Sequence, residues 1–105
     1  MGQKRTRVFV RISRLNRKWT NEILVLLFFS KRLNFNAIKK KLKGVTSKIL
    51  SNRLKKLEKY LFVKKVEAPE KMIRWHYKLT KKGKSFVSAL LDAVYYGIEK
   101  EKEEK

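Results

Sequence analysis

Ser47, Lys48, Ser51, Asn52 and Lys55 fall along one side of a stretch whose other side is leucine. Their chemistry is that of hydrogen bonding to base edges. An ammonium group donates to guanine O6 and N7, a carboxamide pairs with adenine N6 and N7, and hydroxyls serve either. Lys48 is the candidate for guanine and Asn52 for adenine. A second group, Lys39, Lys40, Lys43, Arg53 and Lys56, suits phosphate contact, with Thr46 placed where a helix N-terminus also meets phosphate. The plainer reading is a solvated, solubilising face, and for any one lysine the two readings weigh about equally. The total charge separates them. Twenty-nine Lys and Arg stand against nine Asp and Glu, a net +20, whereas solubility asks only about 2 to 8 of a small domain. A chain this basic expects a polyanion.

The charge is concentrated. Up to Val66 the chain carries 20 basic residues and two acidic ones, Glu22 and Glu58, while four of the remaining acids lie from Glu99 onward. The elements that would hold the candidate groups follow from periodicity. Residues 18–29 read as a helix apolar nearly all round, which a chain buries centrally, and 30–34 as a polar break. Asn34 suits the N-cap of a helix in which Phe35, Ile38 and Leu42 face inward. Gly44 stops that helix. Thr46 caps the next, predicted over 46–60, where Leu50, Leu54, Leu57 and Leu61 repeat at i, i+4, i+7 and i+11. Segments 62–66 and 72–79 are β-prone around a loop holding the one proline, Pro69, and form a hairpin. Thr80 opens a last helix with a broad apolar face to Ile98, after which a charged tail frays.

Two helices joined at Gly44–Val45 and followed by a hairpin give a fold mainly α with a β-hairpin wing, a winged helix-turn-helix. Its second helix fits the major groove, about 12 Å wide. In the wing, Lys71 and Arg74 are placed to reach backbone or minor groove. The expected organisation is a basic arm and short N-terminal helix over 1–16, the winged-helix unit over 17–80, a C-terminal helix over 81–98 and a tail over 99–105. Within the first part, Val8 to Leu15 fits strand and helix alternation alike, with a short helix preferred.

Other classes find little support. Cysteine is absent and histidine occurs once, at His76, so no common zinc site, thiol nucleophile or disulfide is expected, and neither are a cofactor and catalysis. Glycines at 2, 44, 83 and 97 make no phosphate loop. No run approaches the ~20 apolar residues of a membrane span, and residues 1–7 lack the apolar segment of a secretory signal. The expected location is cytoplasmic, on the nucleoid. Trp19 and Trp75 read as core or interface residues.

The stretch FNAIKKKLKGVTSKILSNRLKKLEKYLFVKK, Phe35 to Lys65, resembles the HxlR branch of winged-helix regulators. KWT at 18–20 and HYKLTKKGKSF at 76–86 agree with it, and the likeness extends over roughly residues 17–97. The resemblance implies a homodimer on a pseudo-palindromic operator, joined through its N- and C-terminal helices. Val8, Ile12, Leu90, Leu91, Val94, Tyr95 and Ile98 are the interface candidates here, with Tyr96 beside them. Many relatives carry a cysteine before the central helix, some using it to sense electrophiles or oxidants; this chain has none near Thr6 to Val8, so thiol sensing is excluded. The family usually has glycine where Leu61 stands, and this wing is shorter and lacks a proline. No effector pocket can be argued from these residues, and the small-molecule effector is unknown. Double-stranded DNA is the expected partner. The rivals are an architectural, non-specific DNA binder, an RNA or ribosome-associated protein, and last a membrane-surface binder.

Overall fold

The structure, a computed structural model, describes residues 19–104, with side chains through Glu99. The arm and helix expected over 1–16, Val8 and Ile12 among them, lie outside the described residues. The described chain runs α1 (Thr20–Ser30), β1 (Arg32–Leu33), α2 (Phe35–Lys41), α3 (Ser47–Lys59), β2 (Val63–Glu67), β3 (Trp75–Leu79) and α4 (Lys81–Glu104). The three strands form one antiparallel sheet in the order β1-β3-β2. This is the winged-helix arrangement.

The local signals act as the side-chain chemistry requires. Asn34 Oδ1 accepts from the Ala37 amide at 2.8 Å and Thr46 Oγ1 from the Ile49 amide at 3.2 Å, each cap stabilising its helix by about 1 kcal/mol. Gly44 has φ +95, a left-handed backbone that glycine adopts without a Cβ penalty, so the turn between α2 and α3 favours it. Ile23, Leu24 and Leu27 of α1 are sealed, as are Ile38, Leu50, Leu54, Leu57, Val63, Leu79 and Val87. Full burial contributes about 1.5–3 kcal/mol for each Leu, Ile or Val. α1 packs on β3 and α4, but it is not covered all round as its composition predicts: Val25, Leu26 and Phe28 are half-buried and Phe29 is 69% exposed. Trp19, as expected, is partly buried against this core.

Three further expectations change. The polar break over 30–34 contains β1, whose Arg32 and Leu33 pair with Lys78 and Tyr77; a two-residue strand has no periodicity of its own and forms because β3 offers an edge. Leu61 does not continue the leucine row. The helix ends at Lys59, and Leu61 sits beyond it at φ +64 with 65% of its surface exposed, in the left-handed region that glycine enters without cost. The last helix does not stop at Ile98 but runs to Glu104.

The turn at 60–62 is gripped by the head of α4. Thr80 Oγ1 donates to the Leu61 carbonyl, the Thr80 amide to the Phe62 carbonyl at 3.0 Å, and Lys82 Nζ to the Tyr60 carbonyl at 3.0 Å. Thr80 Oγ1 also accepts from the Gly83 amide at 3.1 Å. Gly83 lies against the turn so closely that a Cβ would stand 2.1 Å from the Phe62 carbonyl oxygen. α4 is thereby fixed to the end of α3.

Candidate nucleic-acid interface

α3 separates its side chains by the 3.6-residue turn. Leu50, Leu54 and Leu57 are buried at 1% exposure or less, and the groups opposite them, Lys48, Asn52 and Lys55, are exposed. Ser47 is exposed at the first turn and Ser51 is half-buried on the flank. Lys39, Lys40, Lys43 and Thr46 are exposed on α2 and the connecting turn, whereas Arg53 and Lys56 are half-buried and reach outward less freely than their neighbours. The geometry therefore brings Lys48, Asn52 and Lys55 into one row and sets the α2 lysines apart from it, on the preceding helix.

That row has a further member which the sequence reading omitted. Lys59 is exposed on the last turn of α3, so positions 48, 52, 55 and 59 mirror on the outside the spacing of 50, 54, 57 and 61. The same periodicity that located the leucines would have found it. Electrostatically the row is one-sided. The only carboxylate between Lys31 and Val66 is Glu58, half-buried, whose charge falls on Tyr77. Burial first, and the Glu58 carboxylate second, push the Tyr77 phenol up from its ordinary value of 10.0. Lys65 Nζ sits 5.9 Å above the same ring.

The wing is the loop 68–74 between β2 and β3, closed by the Ala68 amide donating to the Arg74 carbonyl at 3.2 Å. Lys71 and Arg74 are exposed there and Met72 is 96% exposed. The Arg74 guanidinium lies 5.4 Å over the Trp75 ring, which fixes its direction at the root of the loop. Trp75, expected in core or interface, is at the exposed end of β3.

Of the interface candidates on α4, Leu91 packs against this chain's own core and Leu90 is half-buried. Val94, Tyr95, Tyr96 and Ile98 are exposed. Among the described residues no group of three or more His, Cys, Asp or Glu could hold a metal ion, and no helix is long and apolar enough to cross a membrane.

A family model described as HxlR-like helix-turn-helix matches residues 14–105. An HTH-type transcriptional regulator of Halalkalibacterium halodurans is 30% identical over 87 residues, which are 83% of this chain and 77% of that protein. Among solved structures, a regulator of Enterococcus faecalis described as a MarR-family protein superposes with a TM-score of 0.82 at 26% identity, over 96% of this chain and 91% of the other. A Thermoplasma volcanium protein described as an HxlR-family transcription factor gives 0.69 at 29% identity, over 87% and 81%. The reduced form of the transcriptional regulator YodB from B. subtilis gives 0.74 at 24% identity, over 86% and 87%, a likeness of fold.

Proposed function

The chain belongs to the HxlR-like helix-turn-helix family of transcriptional regulators, and from that premise we propose that it binds double-stranded DNA sequence-specifically as a homodimer. α3 enters the major groove, with Lys48, Asn52 and Lys55 reading base edges and Ser47 and Ser51 assisting at its first turns. Lys39, Lys40, Lys43, Thr46, Arg53 and Lys56 hold phosphates, and Lys71 and Arg74 carry the wing to the flanking backbone or minor groove. The observation that carries this reading is the exposed lysine and asparagine row on a capped helix whose opposite row is completely buried. The dimer uses the exposed apolar side chains of α4, Val94, Tyr95 and Ile98 above all, with Leu90 and Leu91 at its margin and Val8 and Ile12 from the N-terminal part. Two α3 helices then stand one turn of duplex apart, about 34–36 Å. The protein works in the cytoplasm, on the nucleoid.

A second reading has one observation in its favour. The exposed cations along α3 are all lysines, which act as point charges and read bases less directionally than arginine, as a non-specific architectural binder requires. Selection of bound sequences from a random duplex library, followed by affinity for the selected site against random duplex at one fixed salt, decides between the two. A regulator gives a ratio of about a thousandfold or more. In that assay Asn52→Ala costs about 1–3 kcal/mol and relaxes one position per half-site, while Lys40→Ala weakens all duplexes alike and lowers the salt slope by about one. A ratio near one, with Asn52→Ala acting on every sequence equally, hands the protein to the architectural reading.

A further inference from the structure

The wing is tied to the sheet by polar contacts that the proposed DNA contacts leave unused. Arg32, on edge strand β1, donates from Nε to His76 Nδ1 at 2.9 Å and from Nη2 to the Glu67 carbonyl at 2.8 Å. Because the strand order is β1-β3-β2, this guanidinium crosses the middle strand and joins both edges. On its far side His76 Nε2 lies 3.1 Å from Glu70 Oε2. Glu67 ends β2 and Glu70 sits in the loop 68–74, so the two ends of the chain of contacts fall on the root of the wing and on the wing itself. His76 itself is 8% exposed, while Arg32, Glu67 and Glu70, which surround it, are exposed, so the imidazole is the sheltered centre of an otherwise solvent-facing set of contacts.

These contacts fit one protonation state. A guanidinium has only donors and keeps its proton, so Nδ1 must present its lone pair, and the single ring proton sits on Nε2, directed at Glu70. A second proton on Nδ1 would set two N–H groups against each other at the Arg32 contact and bring two cations together. The charged groups around the ring pull in both directions. Alternation along the strands puts Arg32 of β1, Lys64 of β2 and Lys78 of β3 on the same sheet face as His76, and all three oppose a further positive charge. Glu70 from the loop favours it. The helices α1, α2 and α4 lie against the opposite face, where Leu33, Tyr77, Val63 and Leu79 join the core.

We propose that Arg32, His76 and Glu70 form a strut which positions the wing for duplex binding and is complete only while His76 is neutral. Protonation of Nδ1 expels the Arg32 guanidinium and with it the Glu67 carbonyl contact, so that the wing keeps its link to the ring through Glu70 but loses its brace to the far edge of the sheet. Affinity is therefore full while the ring carries one proton and falls once it carries two. The effect on affinity rests on the DNA-binding reading above; the strut itself does not.

Two measurements separate them. On the free protein, imidazole nitrogen NMR at about pH 8 should show the Nε2–H tautomer, and the protection factor of the Ala68 amide should fall as pH is lowered to about 5.5. His76→Gln supplies a carbonyl acceptor for Arg32 and an amide donor for Glu70 without a titrating group, so its Ala68 protection factor should not change. In fluorescence anisotropy with selected duplex at constant ionic strength, the wild type should lose about tenfold in affinity over the same range. His76→Gln should keep the alkaline value throughout, and His76→Ala should be weak at both ends. An Nδ1–H tautomer, or a His76→Gln profile that falls in parallel with the wild type, overturns the strut. If the wild type binds no duplex at any pH, the DNA reading fails, and the tautomer and the Ala68 protection factors still decide the strut.

Discussion

In α3 the leucines at 50, 54 and 57 are sealed, and what remains outside is hydroxyl, carboxamide and ammonium. In α4 Val87 is sealed too, yet two turns later Val94 and Tyr95 stand 55% and 67% exposed. Both helices are amphipathic by the same arithmetic. The difference is where their apolar sides find cover. α3 is satisfied within one chain, so its outward face is free to be chosen for a ligand. Among the described residues α4 meets the core only over its first turns, and Val94 and Tyr95 stand outside it. In the function proposed above, a second copy of the chain covers this stretch.

The largest expected effect comes from breaking the α4 half of this contrast. Val94→Asp with Tyr95→Asp should raise the dimer dissociation constant about a thousandfold, taking each substitution to cost about 2 kcal/mol over both protomers together. Sedimentation equilibrium reads it, and a wild type already monomeric at micromolar concentration removes the contrast altogether. Next in size is the anchor that holds α4 to the end of α3. Gly83→Ala places a methyl carbon against the Phe62 carbonyl and should cost about 3 kcal/mol or more, lowering the melting temperature by roughly 10 °C or more. An unchanged melting curve would mean that α4 is not seated where its contacts with residues 60–62 put it. The smallest effect sharpens the α3 side. Leu61→Gly relieves a left-handed residue, worth about 1–2 kcal/mol, against about 0.5–1 kcal/mol of added unfolded-state freedom. Urea denaturation should show a gain of up to about 1 kcal/mol, and a loss would show that the Leu61 side chain contributes packing its exposure does not suggest.

How much of this could be read from the sequence depends on the range of the cause. Asn34 and Thr46 were legible as caps because a cap bonds an amide three residues away. Leu50, Leu54 and Leu57 were legible because a helix repeats itself. Lys59 is equally legible from the same repeat. β1 was not, since its two residues are extended only by pairing with a strand more than forty positions later. The contact of Arg32 with His76 spans 44 residues, and nothing local to either announces it. Leu61 misleads for the opposite reason: it sits on the leucine spacing, but the turn gripped by Thr80 and Lys82 overrides that spacing two residues past the end of the helix. The candidate site was thus legible where it lies on one helix, and illegible where the wing is braced from the far edge of the sheet.

The unbroken run of α4 from Lys81 to Glu104 makes its two halves a single rotor. Each residue turns the helix by about 100°, so the angular phase between the docked Val87 and the outward Val94 is set solely by the number of residues between them. Inserting one residue there would swing the distal stripe about a quarter-turn away from its former bearing, whereas inserting seven would return it to within about 20°. Evolution can therefore lengthen this helix only in near-whole turns if the outward stripe is to keep its heading.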